Sequence, residues 1–295
     1  MKSELQIVNC RLPVSVRNRL PRQTFNLYRA FTLIELLVVI SILGILAALA
    51  VPALKNLGKS NIGISASRQL LDDIGRARQL AMSQRTTVYM VFVTTNFWFP
   101  PFTSNPTWTN TLTPIQLSSV ANLVEKQMSG YTFMAYGALG DQPGNHQWHY
   151  LAPWQALPEG YMIAPWKFAA VTQPYYFTDP NNNSFTIYQF DYTNNIPFPT
   201  ETNAPITLPY IAFNYLGQLV SGRDQDASGT GVDIPLSQGS VGYGHDATTK
   251  MPTLTLVSPS AISEVPFGNS TNISYNVIHI DALTGRATLK FFRVQ

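Results

Sequence analysis

Hydrophobic and polar positions follow three unlike patterns along this chain. From Leu36 to Leu54 the sequence LLVVISILGILAALAVPAL runs 19 residues without a charge. At about 1.5 Å per residue such a helix is roughly 28 Å long, close to the hydrocarbon thickness of a bilayer. Gly58, Gly63 and several serines follow, which predicts a looser helix there. Periodicity returns in SRQLLDDIGRARQLAMSQR, residues 67–85. Leu70, Ile74, Ala77 and Ala81 recur at helical spacing with Leu71 beside them, while Arg68, Asp72, Asp73, Arg76 and Gln79 take the other side. Asp72 and Arg76 stand in the favourable acid-before-base order at i,i+4. The pattern is that of an amphipathic helix laid on its own sheet.

Beyond residue 85 the pattern turns to strands. Thr86 to Val93 is rich in β-branched and aromatic residues. Residues 94–210 are rich in Pro, Asn, Thr and aromatics, with few charges. FWFPPF at 97–102 and YLAPWQALP at 150–158 cannot be central strands throughout, because proline lacks the ladder donor. Short strands and long ordered loops are expected, with the aromatics as core and loop anchors rather than a glycan- or partner-binding platform. At the C-terminal end Ser274–Ile280 and Ala287–Phe292 flank Asp281-Ala282-Leu283-Thr284-Gly285-Arg286, two alternating runs about a Thr-Gly turn that make a β-hairpin. This hairpin and the strand at 86–93 can supply the apolar sheet that the stem helix needs to cover. No internal repeat is evident.

Composition and charge narrow the function. At 295 residues, 45% hydrophobic and 12% charged, the chain holds one large or two small domains and needs no disulfide or metal staple. The charged fraction is about half that of an ordinary soluble domain, which excludes a charged disordered protein and disfavours an electrostatic nucleic-acid binder. The net charge of +3 is unevenly spread. Residues 1–30 hold six basic residues against Glu4, residues 55–85 six against Asp72 and Asp73, and residues 86–295 seven against twelve acidic ones. No uniform basic face results, and no nucleic-acid partner is expected. The single Cys10 allows no intrachain disulfide.

Arginines before the apolar run place the N-terminus in the cytoplasm and send the rest across the membrane. A secretory signal cut near Ala47-Ala48-Leu49-Ala50 and a plain signal anchor are the simpler readings of that run. Glu35 counts against both, because a carboxylate at the edge of a membrane helix is costly and usually marks function. It stands one helical turn after Phe31, on the same face. A cut between Ala30 and Phe31 would create an α-amine beside that carboxylate, within one subunit or between neighbours.

Arg29-Ala30-Phe31-Thr32-Leu33-Ile34-Glu35 and the apolar run behind it resemble the class III signal of type IV pilins and type II secretion pseudopilins. The resemblance implies a prepilin peptidase that cuts between Ala30 and Phe31 on the cytoplasmic side and methylates the new N-terminal Phe31. It also implies that Glu35 guides subunit docking and that Pro52 bends or locally melts the helix. The partners implied are other pilin or pseudopilin subunits, the inner membrane and, indirectly, an assembly platform protein and ATPase. Two features depart from the pattern. Ala30 stands where glycine is usual, which predicts slower processing, and the 30-residue leader is long for the family. Gly75–Arg85, Leu157-Pro158-Glu159-Gly160-Tyr161 and Ile211–Gln218 resemble the minor, GspH/FimT-like pseudopilin branch.

The fold expected is α+β and pilin-like, a long N-terminal hydrophobic helix packed on an antiparallel β-sheet head with extended irregular loops. Residues 1–30 form a leader that is removed, 31–54 a transmembrane and filament-core helix, 55–85 an amphipathic stem, and 86–295 a periplasmic head. The expected role is assembly as a minor pseudopilin of a type II secretion filament, not catalysis. The alternatives are a minor type IV pilus subunit for adhesion, motility or DNA uptake, and a membrane-anchored periplasmic binding module. The acidic balance of the head disfavours DNA uptake.

Other candidate chemistry is thin, and no cofactor is expected. His146 and His149 form an HxxH pair without a nearby cysteine or carboxylate cluster, which is poor zinc chemistry. His245 and His279 stand alone, and His279 alternates with Ile278 and Ile280, so it projects from the opposite strand face. Asp224, Asp226 and Ser228 begin like a calcium loop that Asp233 could complete. An EF-hand would need a glutamate at the twelfth place, which is Pro235, so a solvated acidic turn is the favoured reading. Gly242-Tyr243-Gly244 is not followed by a helical pattern and is no nucleotide loop.

Overall fold

The computed structural model describes residues 32–99, 102–103, 108–137, 140–141, 146–169, 174–178, 184–220, 231–254, 260–272 and 275–292. The chain divides into two compact units, Met1–Ala53 and Leu54–Gln295. Helix α1, Leu33–Gln84, contributes residues to both. The helical assignment passes without interruption through Gly58 and Gly63, where a looser segment was expected. Gly63 has a packing reason instead: a Cβ there would collide with the Tyr161 hydroxyl.

In the second unit the helix buries one stripe. Ala66, Leu70, Ile74, Ala77 and Ala81 are fully buried, while Arg68, Asp72, Arg76 and Gln79 are exposed. These are the two sides that the 3.6-residue period assigns. Leu70, Ile74, Ala77 and Ala81 meet Met90, Phe92, Tyr131, Phe133, Ile211 and Phe213 together with Ile234, Leu236, Ile278 and Ile280 in one core.

Those contacts come from two sheets rather than from one. Strand β1, Val88–Phe92, lies between β2, Gly130–Tyr136, and β9, Pro205–Phe213, all antiparallel. Strands β3 (Trp148–Tyr150) and β4 (Gln155–Ala156) pair with β2, and β8 (Asp191–Pro197) and β10 (Leu219–Val220) pair with β9, giving a seven-stranded sheet among the described residues. The closing hairpin, β13 (Tyr275–Asp281) and β14 (Ala287–Phe292), belongs to a second sheet. There β11, Gly231–Gly242, pairs with β13, with β5 (Tyr161–Ile163) and with β12 (Ala261–Glu264). Strands β6 (Tyr175–Thr178) and β7 (Ser184–Ile187) form a separate two-stranded sheet. The single sheet expected from β1 and the hairpin is therefore corrected to two, both of which supply side chains to the core around the helix.

Strand β11 hid because Pro235 stands inside it. In an antiparallel strand the N–H and C=O of one residue point to the same side. The Pro235 carbonyl accepts from Ala164 N at 2.9 Å. Its missing donor therefore faces the end of β5, not β13, and the pairing with β13 loses nothing.

Strand β1 is apolar on both faces because both are covered. Met90 and Phe92 face the helix, whereas Val91 and Val93 enter a second core with Phe97, Trp98, Trp108, Met134, Phe198 and Leu208. Helix α2, Pro114–Val124, closes that side with Val120, Leu123 and Val124. It starts at a capping box in which Thr113 and Gln116 satisfy each other's backbone N–H.

Leu70→Ala is expected to cost about 2–5 kcal/mol, whereas Ile115→Ala, at a side chain 80% exposed, stays within about 0.5 kcal/mol. Urea unfolding followed by near-ultraviolet circular dichroism separates the two.

Candidate assembly site

Among the described residues the first part of α1 is exposed. Every large apolar side chain described from Leu33 to Leu46 is exposed, from 43% at Val39 to 83% at Leu33. Consecutive residues Leu36, Leu37, Val38, Val39 and Ile40 are all among them, so no face of the helix is polar. A helix apolar all round belongs in lipid or among other helices. Each such side chain gains about 1.5–3 kcal/mol on full burial. The one hydroxyl in this stretch, Ser41, donates to Leu37 O at 2.8 Å and exposes no unsatisfied donor.

Glu35 is the only acidic residue between Leu33 and Leu71. Thr32 and Glu35 are set as a capping box. Glu35 N donates to Thr32 Oγ1 at 3.2 Å, and Thr32 N and Oγ1 each reach Glu35 Oε2 at 3.5 Å. Contacts to the carboxylate at 3.5 Å are at the outer limit of a hydrogen bond and are weak. The carboxylate is exposed at the positive end of the helix, open to a stronger cation. Ala30 and Phe31 lie outside the described residues. Pro52 falls within the helical span of α1, and its side chain lies outside the description. Among the described residues no helix is long and apolar enough to cross a membrane. Side chains of the apolar run are described only as far as Ala48, so the rest of the span expected at Leu36–Leu54 lies outside them.

In the second unit a polar seam fixes the helix to the sheets. Arg78 Nε donates to Gly217 O at 3.1 Å and to Thr284 O at 2.8 Å, tying together the turns after β9 and β13. Gly285, at φ 61°, is required there because a Cβ would strike Gly217 O. Tyr131 Oη donates to Asp73 Oδ2 at 2.5 Å and accepts from Gln69 Nε2 at 2.9 Å. Burial first, then the Asp73 carboxylate, pushes the Tyr131 hydroxyl far above its ordinary range. Asn276 Nδ2 donates to Ser67 Oγ at 3.1 Å. Arg76 lies 5.7 Å from the centre of the Phe133 ring. None of these helix-to-sheet pairings is visible in the sequence, since their partners stand 57 to 209 positions apart, as Arg76–Phe133 and Ser67–Asn276 show.

The histidines and the acidic turn do not converge. His149 Nε2 meets Asp141 Oδ2 at 3.2 Å, and His146 lies against the Tyr136 ring at 5.7 Å. The His245 ring lies tilted beside that of Tyr243, centroids 4.8 Å apart. His279 projects away from the buried Ile278 and Ile280, with Nδ1 2.7 Å from Asp233 Oδ1. Asp233 thus sits on β11 with a histidine partner, while Asp224, Asp226 and Ser228 lie outside the described residues. Among the described residues no group of three or more metal-ligating side chains occurs. Gly242 ends β11 and opens no helix. A groove in the second unit is lined by Tyr150–Trp154 and Pro199–Thr202.

A protein-family model, the prokaryotic N-terminal methylation motif, matches residues 26–51. No curated protein and no solved structure matches the chain. The chain thus carries a type IV pilin-like prepilin signal that spans Ala30, Phe31 and Glu35 and stops one residue short of Pro52. Such a signal is that of a structural subunit rather than an enzyme, and it implies processing by prepilin peptidase and assembly with other pilins.

Tyrosines in the unfolded chain titrate near pH 10, whereas Tyr210, raised first by burial and then by the charges of Asp191 and Tyr89, holds its proton to about 12. Stability from this group is complete below pH 10 and falls as pH rises toward 12. Unfolding measured from pH 9 to 12 is expected to show a shallower decline for Tyr210→Phe than for the parent protein. Identical slopes would contradict the assignment.

Proposed function

We propose that this protein is a prepilin-like subunit, cut between Ala30 and Phe31 and methylated on the Phe31 amine. It then assembles as a minor pseudopilin of a type II secretion filament that serves protein export. The observation that carries this reading is the coincidence of the methylation motif at 26–51 with a helix exposed and apolar on every side, headed by a lone carboxylate. Residues 1–30 are the leader and 31–54 the segment held in the inner membrane and then in the filament core. Residues 55–85 are the stem and 86–295 the periplasmic head.

Leaving lipid removes the apolar cover of Leu33–Leu46, so neighbouring helices must replace it. Glu35 and the Phe31 amine of a neighbour or of the same chain neutralise each other in that low-dielectric setting. Pro52, lacking an N–H, is the point at which the helix yields during transfer. The resemblance of Gly75–Arg85, Leu157–Tyr161 and Ile211–Gln218 to the GspH/FimT-like branch supports the minor role. A second reading, a membrane-anchored binding module, is favoured by the aromatic groove at Tyr150–Trp154.

Glu35→Gln tests the filament reading. The variant is expected to reach the membrane at the parent level while its yield in sheared or cross-linked filaments falls at least about tenfold, as loss of one partner of a buried ion pair requires. Filaments at the parent level would contradict the role given to Glu35.

A further inference from the structure

The groove between residues 150–154 and 199–202 is a cleft of about 650 Å³ that is wide open to solvent. Tyr150 Oη donates to Pro197 O at 2.6 Å and Trp154 Nε1 to Pro199 O at 3.2 Å. Both aromatic side chains therefore use their polar atoms to hold the end of β8. What they offer the groove is ring surface, with centroids 6.0 Å apart and planes at 58°. Phe198 supports Trp154 edge-on at 5.4 Å. Pro153, which is exposed, extends the apolar wall.

The facing turn is locked. Thr200 N donates to Asn203 Oδ1 at 3.2 Å and Asn203 N to Thr200 O at 3.1 Å. Glu201 Oε1 accepts from Tyr150 N at 2.7 Å, which joins the two walls. Thr200 Oγ1 donates to Asn203 Oδ1 and lies 3.4 Å from Thr202 Oγ1. The polar groups on offer are thus acceptors, the second oxygen of the Glu201 carboxylate and the remaining lone pairs of the two threonine hydroxyls. A proline-rich peptide would need donors for its carbonyls, and both ring donors are already used. A single ammonium group would fill only a small part of the volume. A sugar ring satisfies every surface: its C–H face suits an electron-rich ring, and its hydroxyls donate to carboxylate and threonine oxygens.

We propose that this groove is a saccharide-binding site, with a pyranose face on Trp154 and hydroxyls on Glu201, Thr200 and Thr202. The preorganised walls leave little to be ordered on binding. The site gives the head a recognition function that needs no filament. It deepens the binding-module reading and is compatible with the assembly reading.

The test uses the full chain, purified as single subunits in a detergent without a sugar head group. Cellotriose, maltotriose and N,N′,N″-triacetylchitotriose are the probes, followed by tryptophan fluorescence and ligand-observed magnetic resonance. At least one is expected to bind saturably at millimolar concentration or below, with an affinity unchanged by about 0.5 M salt, since no ion pair is involved. Trp154→Ala is expected to weaken it by about tenfold or more. Glu201→Gln, an exposed change that leaves an acceptor for Tyr150 N, is expected to weaken it by about fivefold and serves if Trp154→Ala does not fold. No saturable binding of any probe, binding unchanged in Glu201→Gln, or binding of tetramethylammonium in place of the sugars would overturn the proposal. Purified subunits are used, so failure here leaves the assembly reading untouched, and failure of assembly leaves this result standing.

Discussion

The stripe Ala66, Leu70, Ile74, Ala77 and Ala81 is the surface on which the head closes. Among the described residues a seven-stranded sheet brings Met90, Phe92, Phe133 and Phe213 to it, and a five-stranded sheet brings Ile234, Leu236, Ile278 and Ile280. Small side chains at Ala66, Ala77 and Ala81 allow close approach, while Leu70 and Ile74 fill the space between. Arg78, Gln69, Asp73 and Ser67 then fix the register of the helix through partners from both sheets and their turns. Loss of that stripe would leave each sheet with an uncovered apolar face.

The same helical element meets two different requirements. Its later part is amphipathic and finds its partner within the chain. Its first part is apolar on every side and, among the described residues, exposed. Physical chemistry leaves two environments for such a segment, lipid and a bundle of like helices, and a filament subunit passes from one to the other. Glu35 is the feature that distinguishes them. In lipid a carboxylate is only a cost, whereas in the proposed filament, where each helix would begin with an α-amine, it would have a specific partner.

Most of the helical part was legible because period and charge-free length are local properties. Leu70, Ile74, Ala77 and Ala81 declared their face, and the hairpin at Tyr275–Phe292 declared its turn. The head was less legible. Pro235 concealed β11, since the rule against proline in strands does not say on which side the missing donor falls. Without β11 the hairpin had no inner neighbour, and one sheet was expected where two occur. The groove was hidden for a different reason: Tyr150, Trp154 and Glu201 read as scattered loop residues until hydrogen bonds over 45 to 51 positions bring them together. Calcium at Asp224, Asp226 and Ser228 falls outside the described residues, and Asp233 is engaged by His279.

Intact mass and N-terminal sequencing of the membrane-extracted protein test the central claim most directly. A chain that starts at Phe31 and carries one extra methyl group on its amine is the predicted result. A chain that starts near Val51, or an uncut chain that starts at Met1, would contradict it, and Glu35 would then be no more than the cap of its own helix.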